Sequence, residues 1–160
     1  MKNKMKNTKN NSGTSCKLLP SEWKFNIYGL LLFVTIMLPT IIWFFVPAKN
    51  DILRTTSVTP VIDTVASIFQ VIMIICLCFV KRNHYRKYDL LSVICIAAYF
   101  ICWIFYYCAI VNTAIILGLC LFPCLAFIFY EIKIKNYFAL IPTIIFTILH
   151  LIFGIKNFLI

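Results

Sequence analysis

The chain has 160 residues, of which 62% are apolar and 12% charged, and a net charge of +10. Soluble domains are closer to half apolar and a quarter charged, so this composition excludes a soluble catalytic domain. The basic excess suggests nucleic acid at first, but its placement along the chain points to membrane topology instead.

Residues 1–24 are rich in Lys, Asn, Ser and Thr and include Lys2, Lys4, Lys6, Lys9, Lys17 and Lys24. Such a stretch cannot bury enough apolar area to offset the entropy of ordering. It is expected to be a disordered basic cytoplasmic tail. No cleavable signal is expected. The first apolar run is too long for a signal core, and it exits through the bulky Phe44-Phe45-Val46-Pro47. Cys16 has no apolar run before it, which argues against a lipoprotein.

Five apolar runs follow, at 25–46, 61–80, 90–111, 114–132 and 137–155. Crossing about 30 Å of hydrocarbon takes roughly 20 apolar residues in a helix. A lipid-exposed backbone must satisfy its own polar groups, so each run is predicted to be helical. The predicted fold is all-α, a polytopic bundle of five transmembrane helices over 25–160. Trp23 and Trp43 stand where aromatic belts are expected.

Pro39 and Pro123 each remove a helix hydrogen bond and are expected to kink the first and fourth spans, whereas Pro142 falls in the first turns of the fifth. Thr59-Pro60 reads as a helix start, a capping hydroxyl before proline. The stretch 48–54 mixes charge with aliphatic residues, as a segment on the membrane interface does. The 43 residues from Leu90 to Ile132 are almost uncharged, and as one helix would measure about 65 Å. Asn112-Thr113 is the only polar break, so a tight hairpin is predicted there, with Thr113 capping the helix from Ala114. Ala114 and Gly118 have the small-xxx-small spacing that lets helices approach closely.

With the N-terminus inside, the inside segments carry 12 of the 15 Lys and Arg residues and the outside segments carry 3. This is the bias of the positive-inside rule, and it predicts an N-in, C-out chain in the plasma membrane. Lys81, Arg82, Arg86 and Lys87 are expected to contact anionic lipid headgroups, at roughly 1 kcal/mol each.

Seven of the eight cysteines (all but Cys16) lie within apolar spans and read as small packing residues rather than a disulfide framework. Cys120 and Cys124 lack the further ligands of a metal site. Ser92, Cys95, Tyr99, Cys102 and Tyr106 form an a/d stripe that reads as helix-packing surface. Glu131, beside Lys133 and Lys135, reads as an interfacial ion-pair member.

Polar groups inside a membrane are the functional candidates. Asp63, Ser67 and Gln70 share one face of the second span. Thr143, Thr147, His150 and Gly154 form a stripe on the fifth. In the predicted topology Asp63 is about 5 Å and His150 about 8 Å below the outer boundary, level with Tyr106 and Tyr107. An intramembrane polar cluster of Asp63, Ser67, Gln70, Tyr106, Thr147 and His150 is therefore expected, with Asp63 and His150 interacting. No phosphate-binding loop, nucleophile elbow or HExxH motif occurs, and no catalytic residue, cofactor or metal is assigned.

Two stretches carry a resemblance: Pro47-Ala-Lys-Asn-Asp51 with Thr55-Thr56-Ser57, and Asn136-Tyr-Phe-Ala-Leu-Ile-Pro-Thr143 leading to His150. They resemble small, uncharacterised multi-pass membrane proteins of low-G+C Gram-positive bacteria, for which no activity is implied. The expected function is a non-enzymatic accessory, regulatory or immunity-type membrane subunit, with another membrane protein or itself as partner and no nucleic acid. The alternative is a small oligomeric transporter or channel subunit using the Asp63/His150 cluster. Five short helices are expected to enclose little space alone.

Overall fold

The computed structural model describes residues 25–49, 51–54, 56–79 and 89–158. The tail over 1–24 and the basic residues Lys81, Arg82, Arg86 and Lys87 lie outside the described residues. The described chain is all-helical: α1 Ile27–Phe45, α2 Pro60–Phe79, α3 Leu90–Tyr107, α4 Thr113–Ile134 and α5 Tyr137–Phe158, with a short 3-10 turn, Ile52–Arg54, between α1 and α2. All five helices are long and apolar enough to cross a membrane. The chain is a multi-pass membrane protein.

The helices alternate in direction. At one end Tyr107 Oη donates to the Val46 carbonyl and Val58 N–H donates to Asn157 Oδ1. At the other, Asn26 N–H donates to the Cys78 carbonyl and Lys133 Nζ pairs with Asp89 Oδ1 at 3.2 Å. α4 is the most enclosed helix and packs between α3 and α5; α2 packs on α5, and α1 rests more lightly on α2 and α3. The outward faces of α1, α2, α3 and α5 expose Ile, Leu, Val and Phe, as helices do whose solvent is lipid.

The helix ends differ from expectation where their chemistry is not glycine-based. α3 stops at Tyr107, four residues short of the predicted end. Ala109 takes the left-handed conformation at φ 61°, with Ile110 N–H on the Phe105 carbonyl and Ala109 N–H on that of Tyr106. This is a Schellman ending with Ala where Gly is usual. α4 ends in the same way on Lys135, φ 56°. At the start of α4 the cap is Asn112, whose Oδ1 accepts from Ile115 N–H at 2.9 Å, and Thr113 is already helical. The Thr59 hydroxyl accepts from Asn157 Nδ2 at 2.7 Å. α1, α4 and α5 run on through Pro39, Pro123 and Pro142.

Two asparagines close the end of α2. Its last carbonyls have no helical donors and would be costly to leave bare in hydrocarbon. Asn26 Nδ2 donates to the Leu77 carbonyl and Asn136 Nδ2 to that of Cys76. Asn26 Oδ1 in turn accepts from Tyr130 Oη at 3.2 Å, which ties α1, α2 and α4 together.

Small residues set the close approaches. A Cβ on Gly118 would lie 2.6 Å from Cys102 Sγ, and one on Gly154 2.6 Å from Cys120 Sγ. The thiols of α3 and α4 therefore fill notches in α4 and α5. Ala114, the partner of Gly118 in the small-xxx-small pattern, is exposed. Ser92, Cys95, Tyr99, Cys102 and Tyr106 are all buried.

Candidate functional site: a polar and aromatic cavity inside the bundle

One stripe of residues on each helix faces a shared space of about 440 Å³. On α2 the stripe is Asp63, Ala66, Ser67 and Gln70, at the i, i+3, i+4, i+7 spacing of a single helix face. On α5 it is Phe146, His150 and Phe153; α1 supplies Met37, Thr40 and Trp43, α3 supplies Tyr99 and Trp103, and α4 supplies Cys120, Pro123, Cys124 and Phe127. The volume lies in the range of small-molecule sites. A single copy of the chain forms it, contrary to the expectation that five short helices leave little room, and it is open on the α2 side, where Asp63 and Ser67 are exposed.

Four of the six predicted cluster residues line this cavity: Asp63, Ser67, Gln70 and His150. The Ser67 hydroxyl donates to the Asp63 carbonyl one turn back, at 2.9 Å, so it is satisfied by its own helix. The His150 ring is stacked between Phe146 and Phe153, with centroids at 5.1 and 6.3 Å and near-parallel planes. This stack fixes the imidazole plane along α5. Asp63 and His150 line the same cavity, but among the described residues the two form no ion pair.

Tyr106 and Thr147 belong elsewhere. Tyr106 is fully buried, and its hydroxyl donates to Asp51 Oδ1 at 2.8 Å while accepting from Leu53 N–H. Thr147 is turned into the α4–α5 seam, donating to the Thr143 carbonyl at 2.7 Å. Neither lines the cavity.

The loop residue Asp51 organises the cavity's mouth. Its carboxylate accepts from Trp43 Nε1, Tyr106 Oη and Arg54 Nε at 2.8–3.0 Å. Arg54 also stacks over the Trp43 ring at 5.0 Å and donates to the Trp43 and Phe44 carbonyls at the end of α1. A cation on those carbonyls also complements the helix dipole. Loop residues 51–54 thus fold back onto the bundle and hold Trp43 in place as a cavity wall. Thr40 Oγ1 and Tyr99 Oη are 3.2 Å apart on the same wall. Composition alone marked Trp43 only as an interface residue and did not single out Asp51 or Thr40.

Glu131 corrects a further expectation. It forms no ion pair with Lys133, which two residues on points to a different side of the helix, nor with Lys135, which lies past the helix end in the left-handed conformation. It is fully buried in the α4–α5 seam, with Oε1 2.7 Å from Thr143 Oγ1 and Oε2 without a hydrogen-bond partner. Lys133 pairs with Asp89.

Among the described residues no three His, Cys, Asp or Glu side chains come together as a metal site. Compared with protein-family models, curated proteins and solved structures, the chain finds no match.

Proposed function

We propose that the chain is a non-enzymatic plasma-membrane protein that binds a small lipophilic cation in the intramembrane cavity, as a transporter or channel subunit does. The observation that supports this most is the charge balance of the lining. Among the described residues Asp63 is its only acidic one and no Lys or Arg lines it, and Trp43, Tyr99, Trp103, Phe146 and Phe153 surround the space. A carboxylate with aromatic faces suits an organic cation, each ring face adding roughly 0.5–2 kcal/mol.

The test is binding of tetraphenylphosphonium to the purified protein in nanodiscs, read by calorimetry. We expect saturable binding that weakens at least tenfold in Asp63→Asn, a loss of about 1.4 kcal/mol. Equal binding of a neutral aromatic compound of the same size would leave a ligand cavity without cation preference. No binding of either probe would remove the reading.

The N-in, C-out orientation, the bacterial plasma membrane and headgroup contact by the basic loops form part of the same proposal. Their support is the segmental charge bias and the Lys-, Asn- and Ile-rich composition. A second reading, an accessory or immunity-type subunit acting by helix contact, draws on α1. Its residues Ile27, Leu31, Val34, Leu38 and Ile41 form a continuous exposed stripe at 45–51% exposure. Co-purification of a different membrane protein, lost when Leu31 and Leu38 are changed together to Ala, would favour that reading.

A further inference from the structure

The α4–α5 seam contains a hydrogen-bond arrangement that lacks one hydrogen. Thr143 Oγ1 lies 2.7 Å from Glu131 Oε1 and 2.8 Å from the Ala139 carbonyl oxygen. A threonine hydroxyl has a single hydrogen and can donate to only one of them. A carbonyl oxygen has none to give, and neither does an ionised carboxylate. If Glu131 were ionised, one of these two short oxygen–oxygen contacts would lack a hydrogen between its atoms. We propose that Glu131 is an intramembrane proton-binding site: it holds its proton on Oε1 and donates it to Thr143 Oγ1, while Thr143 donates to Ala139.

Both contacts then have a hydrogen, and the electrostatics agree. Glu131 and Thr143 are fully buried. A carboxylate there would be a charge in low dielectric with one hydrogen bond and, among the described residues, no counter-cation, which costs far more than one bond returns. Neutral, the acid leaves Oε2 as a carbonyl-type oxygen, the less costly group to leave without a partner. Among the described residues no cation compensates for a charge there. Lys133 is held by Asp89 ahead of α3, Lys135 is exposed at the end of α4, and Cys76 on α2 is the titratable group within electrostatic reach. α5 presents only the Thr143 hydroxyl.

The site lies one helical turn from the cavity. Phe127 and Phe146, which line the cavity, precede Glu131 by four residues on α4 and follow Thr143 by three on α5. A proton held there is a bound species in its own right, independent of any ligand in the cavity and of the cation reading.

Infrared spectroscopy of the ligand-free protein in nanodiscs tests this directly. At neutral pH the wild type should show the C=O stretch of a protonated carboxylic acid that is missing from Glu131→Gln, and Thr143→Val should shift that band without abolishing it. Loss of a carboxylate band instead, on Glu131→Gln, would overturn the proposal. Should Glu131→Gln fail to fold, the response to Thr143→Val decides, and an unmoved spectrum in that variant also overturns it. A second readout is thermal stability against pH. A group protonated when folded and ionised when unfolded binds more protons in the folded state, so stability falls as pH rises above the ordinary carboxylate range. Raising the pH from about 6 to about 9 should lower the apparent Tm of the wild type by about 5 °C and that of Glu131→Gln by much less. Parallel curves for the two proteins would show that the proton is not held at Glu131.

Discussion

Trp43 and Asp51 are joined by a forked hydrogen bond, the indole Nε1–H lying 2.9 and 3.0 Å from the two carboxylate oxygens. Tyr106 and Arg54 complete the same carboxylate, so three residues, one each from α1, the loop and α3, depend on one side chain. Asp51→Ala leaves the buried Tyr106 hydroxyl and the Trp43 indole without their acceptor. At about 1–3 kcal/mol per orphaned donor, we expect a total loss of about 2–4 kcal/mol, measurable as a lowered unfolding midpoint in detergent. Asp51→Asn keeps one acceptor oxygen and should cost about half as much.

Asp63 and His150 line one cavity without an ion pair between them. Their effects on stability should therefore be nearly additive, with a coupling below about 0.5 kcal/mol in a cycle of Asp63→Asn, His150→Phe and the double variant. A coupling of 2 kcal/mol or more on the scale of direct contacts would show that the two groups bond directly. The same two changes should act together on cation binding, since the carboxylate attracts the ligand and the stacked imidazole shapes its wall.

Gly154→Ala would bring a methyl group to within 2.6 Å of Cys120 Sγ. Overpacking of this kind costs about 1–3 kcal/mol. Adding Cys120→Ala removes the sulfur and leaves only an ordinary 3.7 Å contact with its Cβ, so the double variant should recover most of the loss. Thermal melts of the two singles and the double decide it; no recovery would mean that the thiol is not what fills the notch.

Reporter fusions check the orientation. A fusion after Asn50 should report from outside the cytoplasm, and fusions after Arg82 or Asn136 from inside, following the 12-to-3 partition of basic residues. A cytoplasmic signal at Asn50 would invert the proposed topology while leaving the cavity unchanged.

Five helices were legible in the sequence because lipid imposes a length and an apolar composition on each span, and both can be read residue by residue. The stripe Asp63, Ser67 and Gln70 was legible too, since helical periodicity places them on one face whatever surrounds them. The end of α3 was not. Ala109 adopts the left-handed conformation that Gly would have announced. Nor was the burial of Glu131, since lysines follow it in sequence whereas its partner in space is Thr143 on α5. The sequence by itself determined which segments form helices, where they end to within a few residues, and which face of α2 is polar. Only the tertiary structure decided that α2 and α5 enclose a cavity with Asp63 and His150 on its walls, that Tyr106 turns to Asp51 instead, and that Glu131 is sealed in the α4–α5 seam. Local periodicity sets a side chain's direction about its own helix axis, but the rotation and pairing of helices depend on long-range packing, the Cys120–Gly154 notch among it, that no single segment encodes.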